Sequence, residues 1–199
     1  MVLEHAKLNV RQTTLDDIDG ILHVRQDPNV VPHQYRLDEN RYSKELKQIL
    51  GGGDNTGVST TRYSSLDQDG ELVGYVRHDH YSIEGVKMIS CAWNLSSTYW
   101  GRGIMKVALT QLLDEWIYGL EVQHIFADHF QNNLRCKRLL DGLGFTSQHI
   151  PILERLSSAW HFRCLEWVLR KRLDAICWTR NTKQTTNSPM DQNGRSPLS

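Results

Sequence analysis

The sequence predicts an α/β (α+β) fold in which a mixed, mostly antiparallel central sheet is flanked by helices. The first observation is a pair of strand-like runs, 58–66 and 72–81, around a turn that ends in Asp69-Gly70, a common hairpin signal. The second is the strand-like run Val86–Trp93, which leads through a glycine-rich turn into an amphipathic helix. The third is the short strand-like run Ile125–His129, followed by another helix.

The first helix begins after Thr14, whose side chain suits the N-cap position. Asp17 stands three residues later, where a capping box places its acidic residue, and Asp16 favours the positive end of the helix dipole. A second helix is predicted over 41–50 and is broken by the polar, glycine-rich run 51–55. This run follows a helix rather than a strand, which favours a flexible connection over a phosphate cradle.

The glycine-rich turn, Tyr99–Met105, is the most informative stretch of the chain. Gly101 and Gly103 permit backbone angles that other residues avoid, and they let a ligand approach the main chain. The helix that follows carries its apolar residues at a spacing of three and four: Ile104, Ala108, Leu109, Leu112, Leu113, Trp116, Ile117 and Leu120. Free amides in its first turn favour a phosphate or pyrophosphate.

Two nucleotide-binding motifs are not met by this turn. A dinucleotide fingerprint requires a third glycine where Lys106 stands, and the spacing of a P-loop is absent. An ordinary strand-to-helix turn that needs glycines for packing remains an alternative.

The second informative segment follows the strand-like run Ile125–His129. Asn132 and Asn133 open a helix, since asparagine accepts hydrogen bonds from free amides at helix starts. Gly142 and Gly144 stand where this helix ends.

Together the two segments resemble the GCN5-related N-acetyltransferases (the GNAT family), especially the branch that acetylates ribosomal-protein N-termini. The resemblance keeps one register from the strand at Val86 to Phe145, and the chain also opens like the family, with a strand and a capped helix. The positions that match the family segments are Tyr99, Trp100, Gly101, Gly103, Asn133, Gly144 and Phe145. The positions that depart from them are Met105 (a small residue in the family), Cys136 (serine), Asp141 (glutamate) and Gly142 (lysine).

The resemblance implies the acyl-CoA N-acyltransferase fold and direct acetyl transfer from acetyl-CoA to a primary amine in a ternary complex. The acceptor would be a protein N-terminus, a peptide or a small molecule. The implied cofactor-binding residues are Trp93, Asn94, Leu95 and Ser96 beside the pantetheine, Trp100 and Gly101 in the glycine turn, Arg102, Gly103, Ile104, Met105 and Lys106 around the pyrophosphate, and Asn133 and Cys136 on the second helix. Packing beneath the turn is the alternative for Trp100, and a solvated side chain is the alternative for Arg102 and Lys106.

Two neighbouring residues are candidate bases for catalysis. His129 and Asp128 end the strand before Asn133, where either side chain could act as a base on the amine, directly or through water; a capping or surface role is the alternative for each. Many family members place a tyrosine seven residues after the asparagine as the acid for the thiolate, and this chain has Leu140 there. An acyl-CoA-binding or sensing module without turnover is therefore the second reading.

Composition favours one enzyme-sized domain. Of 199 residues, 39% are hydrophobic, and Lys+Arg and Asp+Glu number 23 each, so no overall charge attracts nucleic acid or a membrane surface. The cysteines lack zinc or redox spacing, and the N-terminus lacks a signal-peptide pattern, which predicts a cytoplasmic protein. We expect a monomer or a homodimer. His78 and His80 share a strand face, but no third ligand can be named, so no metal is expected.

The predicted domain covers residues 1–178. The segment 161–169 fits a late strand or the start of a helix, and the two remain open. Residues 179–199 carry almost no large apolar side chains, which predicts a disordered tail that takes no part in the fold or in catalysis.

Overall fold

Three consecutive strands of the sheet are joined by two antiparallel hairpins. The computed structural model describes residues 8–34, 38–52, 59–130, 133–147 and 175–181. The strands are β1 Leu8–Gln12, β2 Ser59–Gln68, β3 Glu71–Ile83, β4 Val86–Leu95, β5 His124–Phe130, β6 Thr146–Ser147 and β7 Ala175–Asn181. The helices are α1 Ile18–Gln26, α2 Glu39–Leu50, α3 Ile104–Asp114 and α4 Leu134–Gly142. The sheet and its flanking helices confirm the predicted α/β fold.

The described parts of the chain form a sheet of seven strands in the order β1-β2-β3-β4-β5-β7-β6. Within the described residues every neighbouring pair is antiparallel except β4 and β5, which run parallel. This pair is aligned from Met88 opposite His124 to Cys91 opposite Ala127. There the pairing stops, although β4 continues to Leu95 and β5 to Phe130. The ends of the two strands therefore separate, and backbone groups of β4 beyond Cys91 have no ladder partner on β5.

The helices divide between the two faces of the sheet. On one face α1 and α2 cover Tyr63 and Tyr75, with Ile21 and Leu46 at the centre of the contact. On the other face α3 and α4 cover the larger core, whose fully buried members include Ile89, Leu109, Leu113, Trp116, Ile125 and Leu140. Side chains alternate between these faces along each strand, so residues two apart on β3 or β4 reach the same face.

The predicted start of the first helix is confirmed. The Asp17 carboxylate accepts a hydrogen bond from the Thr14 amide at 2.7 Å, and a short 3₁₀ turn leads into α1. Asp17 also accepts two bonds from the Arg11 guanidinium, each 2.7 Å long. These bonds to Arg11 hold the pKa of Asp17 down to about 2.

Several boundaries differ from the sequence prediction. Helix α2 begins two residues earlier, at Glu39, because Asp38 caps it by accepting from the Arg41 amide at 2.8 Å. The helix predicted to reach Leu120 ends as an α-helix at Asp114 and continues as one π-helical turn over Glu115–Gly119. The π turn keeps Trp116 buried against the sheet.

Strand β7 crosses the predicted domain boundary at residue 178. Its last three residues, Thr179–Asn181, pair with the start of β5. The open segment 161–169 and the predicted tail from 182 onward lie outside the described residues.

Candidate active site

A cavity of about 370 Å³ lies where β4 and β5 separate, and residues from both faces of the sheet line it. It contains most of the residues that the sequence predicted. The predicted residues that line it are Trp93, Asn94, Leu95, Trp100, Gly101, Gly103, Ile104, Met105, Lys106, His129, Asn133 and Cys136. The structure thus brings the two motif segments and the end of β4 together around one space.

Two predicted residues, Ser96 and Arg102, are not among those that line the cavity, and the side chain of a third, Asp128, is not described. The Ser96 amide donates to Val73 O at 2.9 Å, which extends the β3–β4 pairing past the end of β4. The Arg102 guanidinium stacks over the Tyr99 ring at 5.1 Å and is outside the cavity lining. Asp128 pairs with Cys177 in the β5–β7 ladder, and its side chain lies outside what the structure describes.

The glycine turn leaves open space at the start of α3. Gly101 and Gly103 have φ of 78° and 77°, and a Cβ at either position would meet no other atom within 4 Å. Gly103 is the N-cap of α3, and its carbonyl accepts from Val107 N at 3.1 Å. The amides of Ile104 to Lys106 precede that bond, so the helix itself offers them no acceptor. Open space therefore lies beside backbone donors at the positive end of a helix.

Trp100 connects the turn to its surroundings. Its indole Nε1 donates to Leu95 O at 2.8 Å, which fixes the turn against the end of β4. The Arg135 guanidinium lies 4.6 Å above the indole ring, so the first turn of α4 also packs on this side chain. Trp100 therefore packs beneath the turn while part of it faces the cavity.

Asn133 caps α4 as predicted. Its Oδ1 accepts from the Cys136 amide at 3.1 Å, and both residues line the cavity. The sequence predicts both a cap and a contact with the cofactor for Asn133, and the geometry allows both, because the cap uses only the side-chain oxygen. Cys136 is half-buried and forms no disulfide with another described residue.

His129 is the titratable residue of β5 that faces the cavity. It is 5% exposed and lies two residues past Ala127, the last residue of β5 that pairs with β4. Its side chain shares a face with Ile125 and Ala127, on the α3 and α4 side of the sheet. Leu140 is fully buried in the core, so this position supplies no proton donor.

Sequence reasoning missed a closed hydrogen-bonded ring on the opposite face. Tyr75 Oη accepts from Asn94 Nδ2 at 2.7 Å and from Arg25 Nη1 at 3.3 Å. Asn94 Nδ2 also donates to Gln34 Oε1 at 3.4 Å, and Gln34 Nε2 donates to the Arg25 carbonyl. All four residues line the cavity. We call them the Arg25 ring.

Two further buried tyrosines, Tyr42 and Tyr63, lie on the same face of the sheet. The Arg25 guanidinium lies 4.1 Å above the Tyr42 ring, and the hydroxyls of Tyr42 and Tyr63 lie 3.3 Å apart. Burial raises the pKa of Tyr63 to about 12 and raises that of Tyr42 further, so both phenols are neutral near pH 7. One signal in the sequence pointed here, since Tyr75 and Arg77 alternate with Val76 on β3 and must share a face.

A separate polar cluster lies on the α3 side, outside the cavity lining. His78 Nε2 and Ser64 Oγ are 3.0 Å apart, and His78 Nδ1 and His80 Nε2 are 2.6 Å apart, with Trp116 packed against both imidazoles. Within the described residues, no three histidine, cysteine or acidic side chains are grouped to hold a metal ion. No helix in that part of the chain has the length and apolarity to cross a membrane.

Comparison with known proteins decides the family. Residues 7–146 match the sequence profile of the acetyltransferase (GNAT) domain. The chain belongs to the GNAT family. It is accordingly an acyltransferase that uses acetyl-CoA, which the resemblance of the two motif segments had predicted. A search of curated protein sequences found no significant match.

Solved structures share the fold at low sequence identity. The ribosomal-protein-S5-alanine acetyltransferase from Vibrio fischeri is 16% identical, with a TM-score of 0.67, over 92% of this chain and 97% of that one. RimJ from Mycobacterium smegmatis, solved with CoA-disulfide, is 15% identical, with a TM-score of 0.64, over 87% and 81%. A spermidine N-acetyltransferase chimera, SpeG from Vibrio cholerae and hSSAT, is 12% identical, with a TM-score of 0.65, over 88% and 95%.

Proposed function

We propose that this chain transfers the acetyl group of acetyl-CoA directly to a primary amine, with both substrates bound at once. The observation that carries this proposal is the position of one cavity, which spans the separating ends of β4 and β5 and reaches the N-terminus of α3. Such an arrangement gives a thioester and an amine access to each other from opposite faces of the sheet.

Acetyl-CoA fits the donors on the α3 side. The amides of Ile104 to Lys106 suit its pyrophosphate, and Lys106 adds a positive charge at the same place. The backbone of β4 between Ala92 and Leu95, which has no partner on β5, suits the amide groups of the pantetheine arm. Asn133 and Cys136 line the same space from α4.

The bound thioester supplies an activated acetyl group, so the protein needs no nucleophile of its own. The amine nitrogen must be neutral to form the new C–N bond, while the C–S bond breaks and CoA leaves as the thiol after gaining a proton. His129 is the group that we assign to accept the proton of the amine, because it is the histidine of β5 that lines the cavity. Asp128, its neighbour, is the alternative base from the sequence analysis.

The acceptor amine approaches from the face covered by α1 and α2. Ala92 and Asn94 on β4 present their side chains to this face, opposite Arg77 and Tyr75 on β3. The acetyltransferases of similar fold act on a ribosomal protein and on spermidine, two very different amines. The acceptor class must therefore be read from the residues of this chain.

Binding of acetyl-CoA to a Gly103→Val variant tests the donor site. A side chain at Gly103 would occupy the open space before the α3 amides, so we expect the affinity for acetyl-CoA to fall. Each 1.4 kcal/mol of lost binding free energy lowers the affinity about tenfold. Gly85→Val is the matched control, because Gly85 has φ of 80°, is equally open and lies in the β3–β4 hairpin away from the cavity. Calorimetry on both variants separates backbone strain, which they share, from blocked binding.

Unchanged affinity in Gly103→Val would refute the donor site. Release of free CoA thiol with a panel of amines then tests transfer itself. Tight acetyl-CoA binding with no thiol release for any amine would favour the acyl-CoA-sensing module instead.

A further inference from the structure

The described residues that line the cavity carry charge of one sign. Its charged lining residues within the described parts of the chain are Arg25, Arg77, Lys106 and Arg135, and no aspartate or glutamate of those parts lines it. Lys106 and Arg135 lie at the α3 and α4 helix starts, beside the proposed pyrophosphate position. Arg25 and Arg77 lie on the other face, where the acceptor enters. The two faces therefore have separate positive charges.

The two arginines on the acceptor face differ in their partners. Arg77 Nη2 lies 3.2 Å from Asp79 Oδ1, and Asp79 also accepts from Thr61 Oγ1 at 2.6 Å. This salt bridge offsets the charge of Arg77 from outside the cavity. Arg25 donates to the Tyr75 hydroxyl and lies over the face of the Tyr42 ring, and these two contacts orient the plane of its guanidinium.

The Arg25 ring fixes this guanidinium before any ligand binds. Both Tyr75 and Asn94 are on adjacent strands of the rigid sheet, and Gln34 holds the backbone carbonyl of Arg25 at the end of α1. A planar guanidinium held in one orientation matches a carboxylate through two parallel N–H···O bonds. A flexible lysine in the same place would lack that match.

We propose that Arg25 binds the carboxylate of an acceptor that carries a carboxylate close to its primary amine. This inference rests on the proposed acetyl transfer and names the substrate class of that site. Both a free amino acid and a peptide with an acidic residue next to its N-terminus carry this chemistry. A polyamine places a second positive charge in a cavity whose described charges are all positive, so it is a poor acceptor.

Pairs of acceptors that differ only in whether they carry a carboxylate measure the effect of that charge. For the first pair, kcat/KM is measured for a free β-amino acid and for the carboxamide of the same compound. For the second pair, it is measured for a peptide with Asp as its second residue and for the same peptide with Asn at that position. Spermidine serves as the cationic acceptor. Binding of each amine to the CoA complex, measured by calorimetry, gives a readout that does not depend on turnover.

The variants are Arg25→Gln, Arg25→Lys and the control Arg41→Gln. Arg41 is an exposed arginine of α2 outside the cavity lining, and its substitution removes the same charge. We expect Arg25→Gln to lower kcat/KM and affinity for the preferred carboxylate acceptor tenfold or more, with little change for its neutral partner. Arg25→Lys should restore part of the preference, and Arg41→Gln should leave it intact.

The outcome also decides the source of the carboxylate, because the amino-acid pair and the peptide pair are measured separately. Equal losses for charged and neutral acceptors in Arg25→Gln would overturn the proposal and give Arg25 a structural role. A wild-type preference for spermidine or for the neutral partners would overturn it as well, while leaving acetyl transfer established. Absence of both amine binding and acetyl-CoA binding would instead refute the proposed function.

Discussion

Tyr75 and Asn94 face each other across β3 and β4, and Asn94 Nδ2 donates to the Tyr75 hydroxyl at 2.7 Å. The same hydroxyl accepts from Arg25, so one phenolic oxygen joins the sheet to α1 at the base of the cavity. A buried hydroxyl with two donors is fully used as an acceptor. Removal of this oxygen therefore changes the acceptor side of the site without touching the glycine turn.

Tyr75→Phe should destabilise the fold and weaken acceptor binding. Loss of the hydroxyl leaves Asn94 and Arg25 with fewer partners, at a cost of about 1 kcal/mol in the free energy of unfolding. We expect KM for the acceptor to rise while the Kd of acetyl-CoA stays constant. Tyr63→Phe is the control: its hydroxyl contacts Tyr42, and it is not among the residues that line the cavity. An equal rise in KM in both variants would argue against a role for the Arg25 ring.

Asn133→Ala separates capping from a role in the donor site. Asn133 caps α4 and Asp38 caps α2, each through one side-chain bond to an amide three residues later. Substitution of either cap costs about 1 kcal/mol of stability. Only Asn133 lines the cavity, so only Asn133→Ala should lower acetyl-CoA affinity or turnover. Calorimetry, kinetics and urea unfolding are compared between Asn133→Ala and Asp38→Ala. If the two variants have the same kinetics, Asn133 acts only as a helix cap.

The motifs that sequence reasoning located are local ones. The glycine turn, the Asn133 cap and the Thr14 cap each depend on residues within about one helical turn, and their chemistry is visible in sequence. The Arg25 ring was missed because its bonds span 50, 60 and 19 residues along the chain. Such contacts follow from strand register and from the placement of α1, which no local pattern specifies.

The boundary at 178 illustrates a second limit. Composition predicted no core contribution from Thr179 onward, yet a strand needs backbone hydrogen bonds rather than apolar side chains, and Thr179–Asn181 pair with β5. Similarly, the helical period after Gly103 continues through Leu120, while the backbone changes to a π turn after Asp114. Periodicity predicts which face is buried better than it predicts where the α-helix ends.

The free energy of unfolding should fall as the pH drops below 6.5, because His78 is buried and His80 is half-buried in the folded protein. Burial first, and then His80, lowers the pKa of His78 to about 3, and burial lowers that of His80 to about 4. Both imidazoles are therefore neutral in the folded state, while the unfolded chain binds protons below about 6.5. Between pH 6.5 and 5 this difference costs about 2 kcal/mol for His78 alone.

Urea unfolding at pH 7.5 and pH 5.0 measures this loss. His78→Gln keeps a polar partner for Ser64 and removes one titration, so the variant should be less stable at pH 7.5 but lose less stability on acidification. His23→Gln removes an exposed histidine of α1 and should behave like the wild type. A pH dependence that is the same in all three proteins would assign the acid sensitivity to other groups.

His129→Gln tests the proposed base through the pH dependence of the transfer step. Glutamine keeps a polar side chain in the cavity but cannot take a proton from the amine. General base catalysis contributes typically a factor of about 10² to 10⁴, so kcat at saturating acetyl-CoA should fall within that range, while the Kd of acetyl-CoA should not change. With wild-type protein, kcat rises with pH as the base deprotonates, and this rise should disappear in the variant. His124→Gln, at the start of β5 and outside the cavity lining, controls for the loss of an imidazole from the same strand.

If His129→Gln keeps the wild-type profile, His129 is not the base, and the proton leaves through Asp128 or the amine arrives already neutral. The choice between those two follows from Asp128→Asn, which alters the profile only in the first case.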